Sequence, residues 1–241
     1  MKKLNAFELK IIALIVMLMD HLYTFFPLAF PLWFHPFSRF VAPLFVFLMV
    51  EGLFHTRNKL KYNIRLFGWA IFMQAGDFII NKVLMSKQVS IHNNIFMTLA
   101  LGLTMINLFE LSKKSKGFKK LGLILLAILF IPLGVFTEGG IVMMPFTLVT
   151  YFFREKRKRA IIGYVILSVF FFIISYVPYA TIAETIGMLM FNSDFLFITV
   201  VPFILLYNGE RGLNNKFSKY LFYVFYPLHL WLLVIIQFVI K

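Results

Sequence analysis

Asp20 and His21 stand side by side in the first long apolar stretch of the chain, with His21 eleven residues past Lys10. An ionisable side chain at that depth in hydrocarbon is costly to place, so the pair marks a functional site by default. Histidine changes charge near neutral pH and serves as a general base or a transient acyl carrier; an aspartate beside it would orient the ring or raise its basicity. Neighbouring helical residues point about 100° apart, so the two cannot both face one partner squarely. A second such histidine, His229, lies in Tyr226-Pro227-Leu228-His229-Leu230-Trp231. It either joins His21 or satisfies a carbonyl that the proline leaves without a donor. Asp77 and Glu51 either bind substrate or tie helices together, and Gln74 reads as packing. Arg39, eighteen residues from Arg57, either snorkels to the outer interface or receives an anionic group arriving there. His35 and His55 read as surface histidines without a special role.

These residues need helices that hold them in a bilayer. The chain has 241 residues, of which 61% are hydrophobic and 14% charged, with 32 Phe and a mean hydropathy of +0.87. A soluble domain of this size is closer to half apolar and a quarter charged. The expected fold is therefore all-α, a polytopic helical membrane bundle. There is no cysteine, which excludes disulfides, thiolate catalysis and Cys-ligated metal sites. Runs long enough to cross about 30 Å of hydrocarbon fall near 9–27, 38–55, 66–84, 92–111, 121–137, 141–153, 160–178, 188–207 and 220–240. That is about nine transmembrane helices, within a range of eight to ten, in one integral membrane domain over 1–241. The first run lacks a small-residue cleavage site and reads as a retained anchor.

Charge then sets the expected orientation. Twenty of the 24 basic residues, including Lys2, Lys3 and Lys10, fall in alternate connections, which puts the N-terminus in the cytoplasm and the C-terminus outside. The net charge of +14 is mostly this topological bias, and the run Arg154 to Arg159 between two spans is not a nucleic-acid patch. Depth follows by counting from the nearest cytoplasmic charge. His21 lies eleven residues from Lys10, Gln74 and Asp77 nine and twelve from Arg65, Glu51 six from Arg57, and His229 ten from Lys219. At ~1.5 Å per residue all fall roughly 9–18 Å below the surface. A layer shared by four helices is where a substrate cavity is expected.

Smaller signals place the ends of helices. Asn5-Ala6-Phe7-Glu8 has the spacing of a capping box, Asn94 reads as a cap or bridge, and Asn208-Gly209 is a turn signal whose amides, with Arg211, could meet a phosphate. No nucleotide fingerprint, Walker motif, HExxH or nucleophile-elbow serine is present.

Leu9-Lys10-Ile11-Ile12-Ala13 through Asp20-His21, Arg39-Phe40-Val41-Ala42-Pro43-Leu44-Phe45-Val46-Phe47 with Glu51-Gly52, Tyr207 to Gly212, and Lys219 to Trp231 resemble the TraX family over the whole length. That family is named for the conjugative pilin N-acetylase and is distantly similar to the membrane acyltransferase-three proteins. In the latter an arginine precedes the first-span histidine by eleven positions; here that position is Lys10, which keeps the charge and loses the bidentate fork. The resemblance implies transfer of acetyl from cytoplasmic acetyl-CoA to an amine or hydroxyl of an extracytoplasmic acceptor, a protein or a glycan, at the bacterial cytoplasmic membrane. On that reading His21 and Asp20 are catalytic with His229 on the carbonyl oxygen or acceptor. Lys10 and Arg211 hold CoA phosphates, Arg39, Asp77 and Glu51 serve the acceptor, and no metal or nucleic acid takes part. The competing expectation is a multispan transporter or flippase in which Asp20, His21 and Arg39 form a proton relay and substrate site.

Overall fold

The computed structural model describes residues 3–241; Met1 and Lys2, the latter one of the basic residues used for orientation, lie outside the described residues. The described chain is all-helical, without a named strand. Helices run Ala6–Phe25 (α1), Phe34–Phe37 (α2), Val41–Phe54 (α3), Lys59–Leu84 (α4), Ile95–Lys113 (α5), Gly117–Leu133 (α6), Gly140–Phe152 (α7), Arg157–Ser175 (α8), Ile182–Phe191 (α9), Val201–Leu206 (α10) and Lys216–Ile240 (α11).

Among the described residues, five helical segments are long and apolar enough to cross a membrane: Phe34–Phe54, Ile95–Lys113, Gly117–Phe136, Arg157–Ser175 and Lys216–Ile240. A sixth is the pair Ile182–Phe191 and Ser193–Leu206 if its two halves count as one span. The segment expected as one span over 188–207 is thus broken, with a bend of 57°. The polar run Asn192-Ser193-Asp194 explains the break, because short polar side chains compete with helical backbone bonds. Helix α1 carries Glu8, Lys10 and Asp20 within its length, α4 carries Arg65, Asp77 and Lys82, and α7 has only 13 residues.

The chain divides into two compact units. The first comprises Met1–Phe45, Asp77–Ile91 and Ile161–Lys241. Its α1 opens on the expected capping box, in which the Asn5 side chain accepts from Phe7 and Glu8 N–H while Glu8 reaches back to the Asn5 N–H. Residues before α1 lie along the turn after α10: Leu4 bridges Tyr207, Asn208 N–H bonds Leu4 O at 2.9 Å, and Ala6 N–H bonds Glu210 O at 2.9 Å. Gly212, at φ +71°, permits this approach, since a Cβ there would overlap the Asn5 side chain. Helix α1 packs along α11, whose first turn has its own capping box from Asn215.

The second unit, Val46–Gly76 with His92–Ala160, is built on α5, α6 and α7. Glu138-Gly139-Gly140 forms the tight connection between the last two. A Cβ on Gly134 would meet the Gly140 carbonyl oxygen at 2.6 Å, and Gly139 has φ +62°, so two conformational demands converge on glycine. Asn94 caps α5 and donates to Ala70 O at 3.0 Å and Gln74 Oε1 at 3.4 Å, which is the bridging role its position predicts.

Candidate functional site

In the first unit, α1 and α11 bring two histidines from opposite ends of the chain into contact. His21 Nδ1 lies 2.7 Å from His229 Nε2, and the rings meet end to end, with centroids 4.9 Å apart and 21° between planes. Both are buried, at 5% and 7% exposure. Tyr226 tilts over the pair and Phe225 stacks on His229 at 4.8 Å, which makes an apolar wall. The other nitrogen of His229, Nδ1, lies 2.7 Å from the carbonyl oxygen of Phe225. That carbonyl is not the one deprived by Pro227, whose missing N–H is withheld from Tyr223. With both nitrogens of His229 engaged inside the protein, its expected contact with an acceptor or carbonyl oxygen is not what the geometry displays.

Asp20 also departs from expectation. It makes no hydrogen bond to His21 and instead holds His35 Nδ1 at 2.8 Å and Arg39 Nη2 at 3.0 Å. The 100° offset between adjacent helical residues accounts for the separation. His35, expected to be an idle surface residue, lies within the core of this network: its Nε2 reaches the carbonyl oxygen of Phe191, the last residue of α9, at 3.1 Å. Arg39 extends the network, with Nη1 3.1 Å from Asp194 and Nε donating to His35 O at 3.2 Å. Arg39 therefore neither snorkels freely nor presents an open guanidinium, and two carboxylates hold it. Asp194 was missed in the sequence; its signal was a lone acid in the polar run that breaks the eighth apolar stretch. The signal for His35 was its spacing of four before Arg39 behind a proline-rich turn.

Beside Arg39 and Asp194 in sequence, Trp33, Phe37, Phe40, Leu196 and Phe203 line an apolar groove, with Phe40 and Phe203 stacked at 4.1 Å. Asp77 lies elsewhere in the unit, 98% buried, and accepts from Trp231 Nε1 at 2.7 Å; that bond joins α4 to α11. At the end of α1 nearest its cap, Lys10 lies over the Phe222 ring at 5.1 Å. Arg211 is exposed in the turn against which the N-terminal residues lie. The expected cofactor cations are thus drawn to one end of this unit.

Glu51 belongs to the second unit. Its carboxylate receives Arg154 Nε at 2.9 Å and Nη2 at 3.1 Å, and the same guanidinium lies 4.3 Å from the Phe54 ring centroid and pairs with Glu155. A bidentate fork of this kind ties helices firmly. Glu110 collects Lys59 at 2.7 Å, Lys113 at 2.9 Å and the Tyr151 hydroxyl. The Glu51 contacts match the helix-tie alternative read from the sequence, whereas the Glu110 cluster was not singled out there.

Comparison with known proteins adds a relative and a family. A protein of Dichelobacter nodosus named "Probable fimbrial assembly protein FimC, serogroup H1" is 28% identical over 243 residues, covering 95% of this chain and 94% of its own. No solved structure matches. The model of a family described as TraX protein matches residues 6–237, a stretch that takes in the histidine pair, the Asp20 network and both cations: the chain belongs to the TraX family.

Proposed function

We propose that the protein is a membrane-embedded acyltransferase of the bacterial cytoplasmic membrane, carrying acetyl from acetyl-CoA on the cytoplasmic side to an amine or hydroxyl on an extracytoplasmic acceptor. The apolar runs favour about nine spans, and the alternating charge favours an N-terminus on the cytoplasmic side. The observation that carries the reading is the buried contact of His21 with His229 at 2.7 Å, in a chain whose family is named for pilin acetylation. Histidine placed in a dry, aromatic-walled site is suited to take a proton from an attacking nucleophile.

The transfer is balanced without an added reactant. The acceptor nitrogen or oxygen attacks the thioester carbonyl carbon as His21 takes its proton. The new C–N or C–O bond forms, the C–S bond breaks, and the proton passes to the departing thiolate to give CoA. Lys10 and Arg211 supply cations for the CoA phosphates, and the fit is one of charge: Lys10 lies eleven residues before His21, and Arg211 is exposed in the turn that the residues before α1 lie along. The apolar groove at Phe40 and Phe203 offers a seat for the greasy part of a membrane-borne acceptor. The name of the Dichelobacter nodosus relative, a fimbrial assembly protein, favours a fimbrial or pilin protein over a glycan as that acceptor.

A transport reading is favoured by one observation, the broken helix at Asn192–Ser193 with charged side chains against it, since interrupted spans line substrate sites in transporters. One experiment separates the two. Purified protein in lipid nanodiscs is melted with and without acetyl-CoA, and [14C]acetyl incorporation into membrane acceptors is followed for wild type and His21→Ala. Acetyl-CoA at a hundred times its Kd raises stability by about 2.7 kcal/mol, and His21→Ala abolishes incorporation while still melting cooperatively. Labelling that persists in folded His21→Ala refutes the reading.

A further inference from the structure

The contacts of His229 specify where its protons are. Its Nδ1 meets the Phe225 carbonyl oxygen at 2.7 Å. A carbonyl only accepts, so Nδ1 carries a hydrogen and donates it. A neutral imidazole has one N–H, which leaves Nε2 of His229 as an acceptor. That nitrogen lies 2.7 Å from Nδ1 of His21, so the bond between the rings requires His21 to donate from Nδ1. With its single hydrogen on Nδ1, the lone pair of His21 is on Nε2. A second hydrogen on His229 would reverse the polarity, but it would put a buried cation against Phe225 and Tyr226 with no carboxylate bonded to either histidine, because Asp20 is held by His35 and Arg39. Burying an uncompensated charge is far more costly than keeping one hydrogen per ring.

We propose that His229 is a positioning residue that fixes His21 as its Nδ1–H tautomer and so presents Nε2 of His21 as the bare nitrogen that takes the acceptor's proton. This rests on the acyl-transfer reading only for the final step; the tautomer itself is independent of it. Free histidine favours a hydrogen on Nε2, the opposite arrangement, and there the nitrogen able to act as a base would face His229. The direction of the chain is set by the backbone: carbonyl to His229, His229 to His21, His21 to the acceptor. The role is analogous to the partner that fixes the ring of a metal-bound or triad histidine.

The test is 15N NMR of histidine-labelled full-length protein in nanodiscs, with His21 and His229 resonances assigned from the His21→Ala and His229→Ala spectra. Wild type is expected to show a protonated Nδ1 and a bare Nε2 on His21. In His229→Ala the two nitrogens of His21 exchange character. His229→Gln, whose amide oxygen sits close to the lost Nε2, restores the wild-type pattern. In acetyl transfer, His229→Ala lowers kcat at least about tenfold with KM little changed, and His229→Gln recovers most of it. A wild-type His21 protonated on Nε2 overturns the proposal, as does a loss of kcat in His229→Ala with the His21 tautomer unaltered. If no variant transfers acetyl, the acyltransferase reading fails and the tautomer is still decided by the spectra.

Discussion

Asp20 and His21 are covalent neighbours bonded into separate networks: Asp20 to His35 and Arg39, and His21 to His229 across the helix pair α1 and α11. Their mutants therefore part company. Asp20→Ala strips a mostly buried guanidinium of its closest carboxylate and is expected to lower stability by about 2–4 kcal/mol, read as a lower Tm in detergent. His21→Ala removes a buried ring and its bond to His229, costing about 1–3 kcal/mol, and it removes activity. An Asp20→Ala protein that loses all transfer while keeping the wild-type Tm would refute this division.

Glu51 and Arg154 behave as a helix tie. Each single alanine variant is expected to lose about 2–3 kcal/mol. The double variant loses less than their sum, giving a coupling of about 1–3 kcal/mol in a double-mutant cycle. The KM for acceptor stays within about twofold in Glu51→Gln. A large KM increase with normal stability would return Glu51 to the acceptor site.

Trp231→Phe deletes the indole N–H that reaches Asp77 while keeping most of the ring. Removing a hydrogen bond to a carboxylate costs about 1.5–3 kcal/mol. An unchanged Tm would show that packing of the ring, and not its N–H, joins α4 to α11.

Gly212→Ala puts a methyl group onto Asn5 at a backbone angle that L-residues avoid. A loss of about 1–3 kcal/mol is expected, together with faster proteolysis ahead of α1 and weaker acetyl-CoA stabilisation, since Lys10 and the Arg211 turn are then released from each other. Wild-type protection of the N-terminal residues in this variant would contradict the arrangement.

The absence of cysteine makes the topology directly measurable. Single cysteines at Lys120 and at His92 are expected to label with an impermeant maleimide from the cytoplasmic and the outer side respectively. Both labelling from one side would refute the nine-span orientation.

Helix type and position were largely legible because apolar runs and caps act locally. Asn5 with Glu8 marked the start of α1 within a few residues, and Asn94 marked that of α5. Counting along the helices from a charged end brought out His21 and His229 together, and the two side chains do meet. It failed for partnership, since depth says nothing about azimuth: Asp20 and His21 share a level and face different neighbours. His35 was illegible for another reason. It lies on a short helix after a proline-rich turn, which folds it back toward Asp20 and leaves only its spacing of four before Arg39 as a trace in the sequence. The break at Asn192 was visible as three polar residues, yet the surrounding hydrophobicity outweighed them in a span-length window.

Helix α7 has 13 residues and so rises only about 20 Å, roughly 10 Å less than ordinary bilayer hydrocarbon. Most of its side chains are buried among its neighbours in the second unit, Val142, Met143, Met144, Phe146 and Tyr151 among them, so protein rather than lipid covers them. An apolar helix too short to cross hydrocarbon alone is tolerated where other helices shield its ends from lipid.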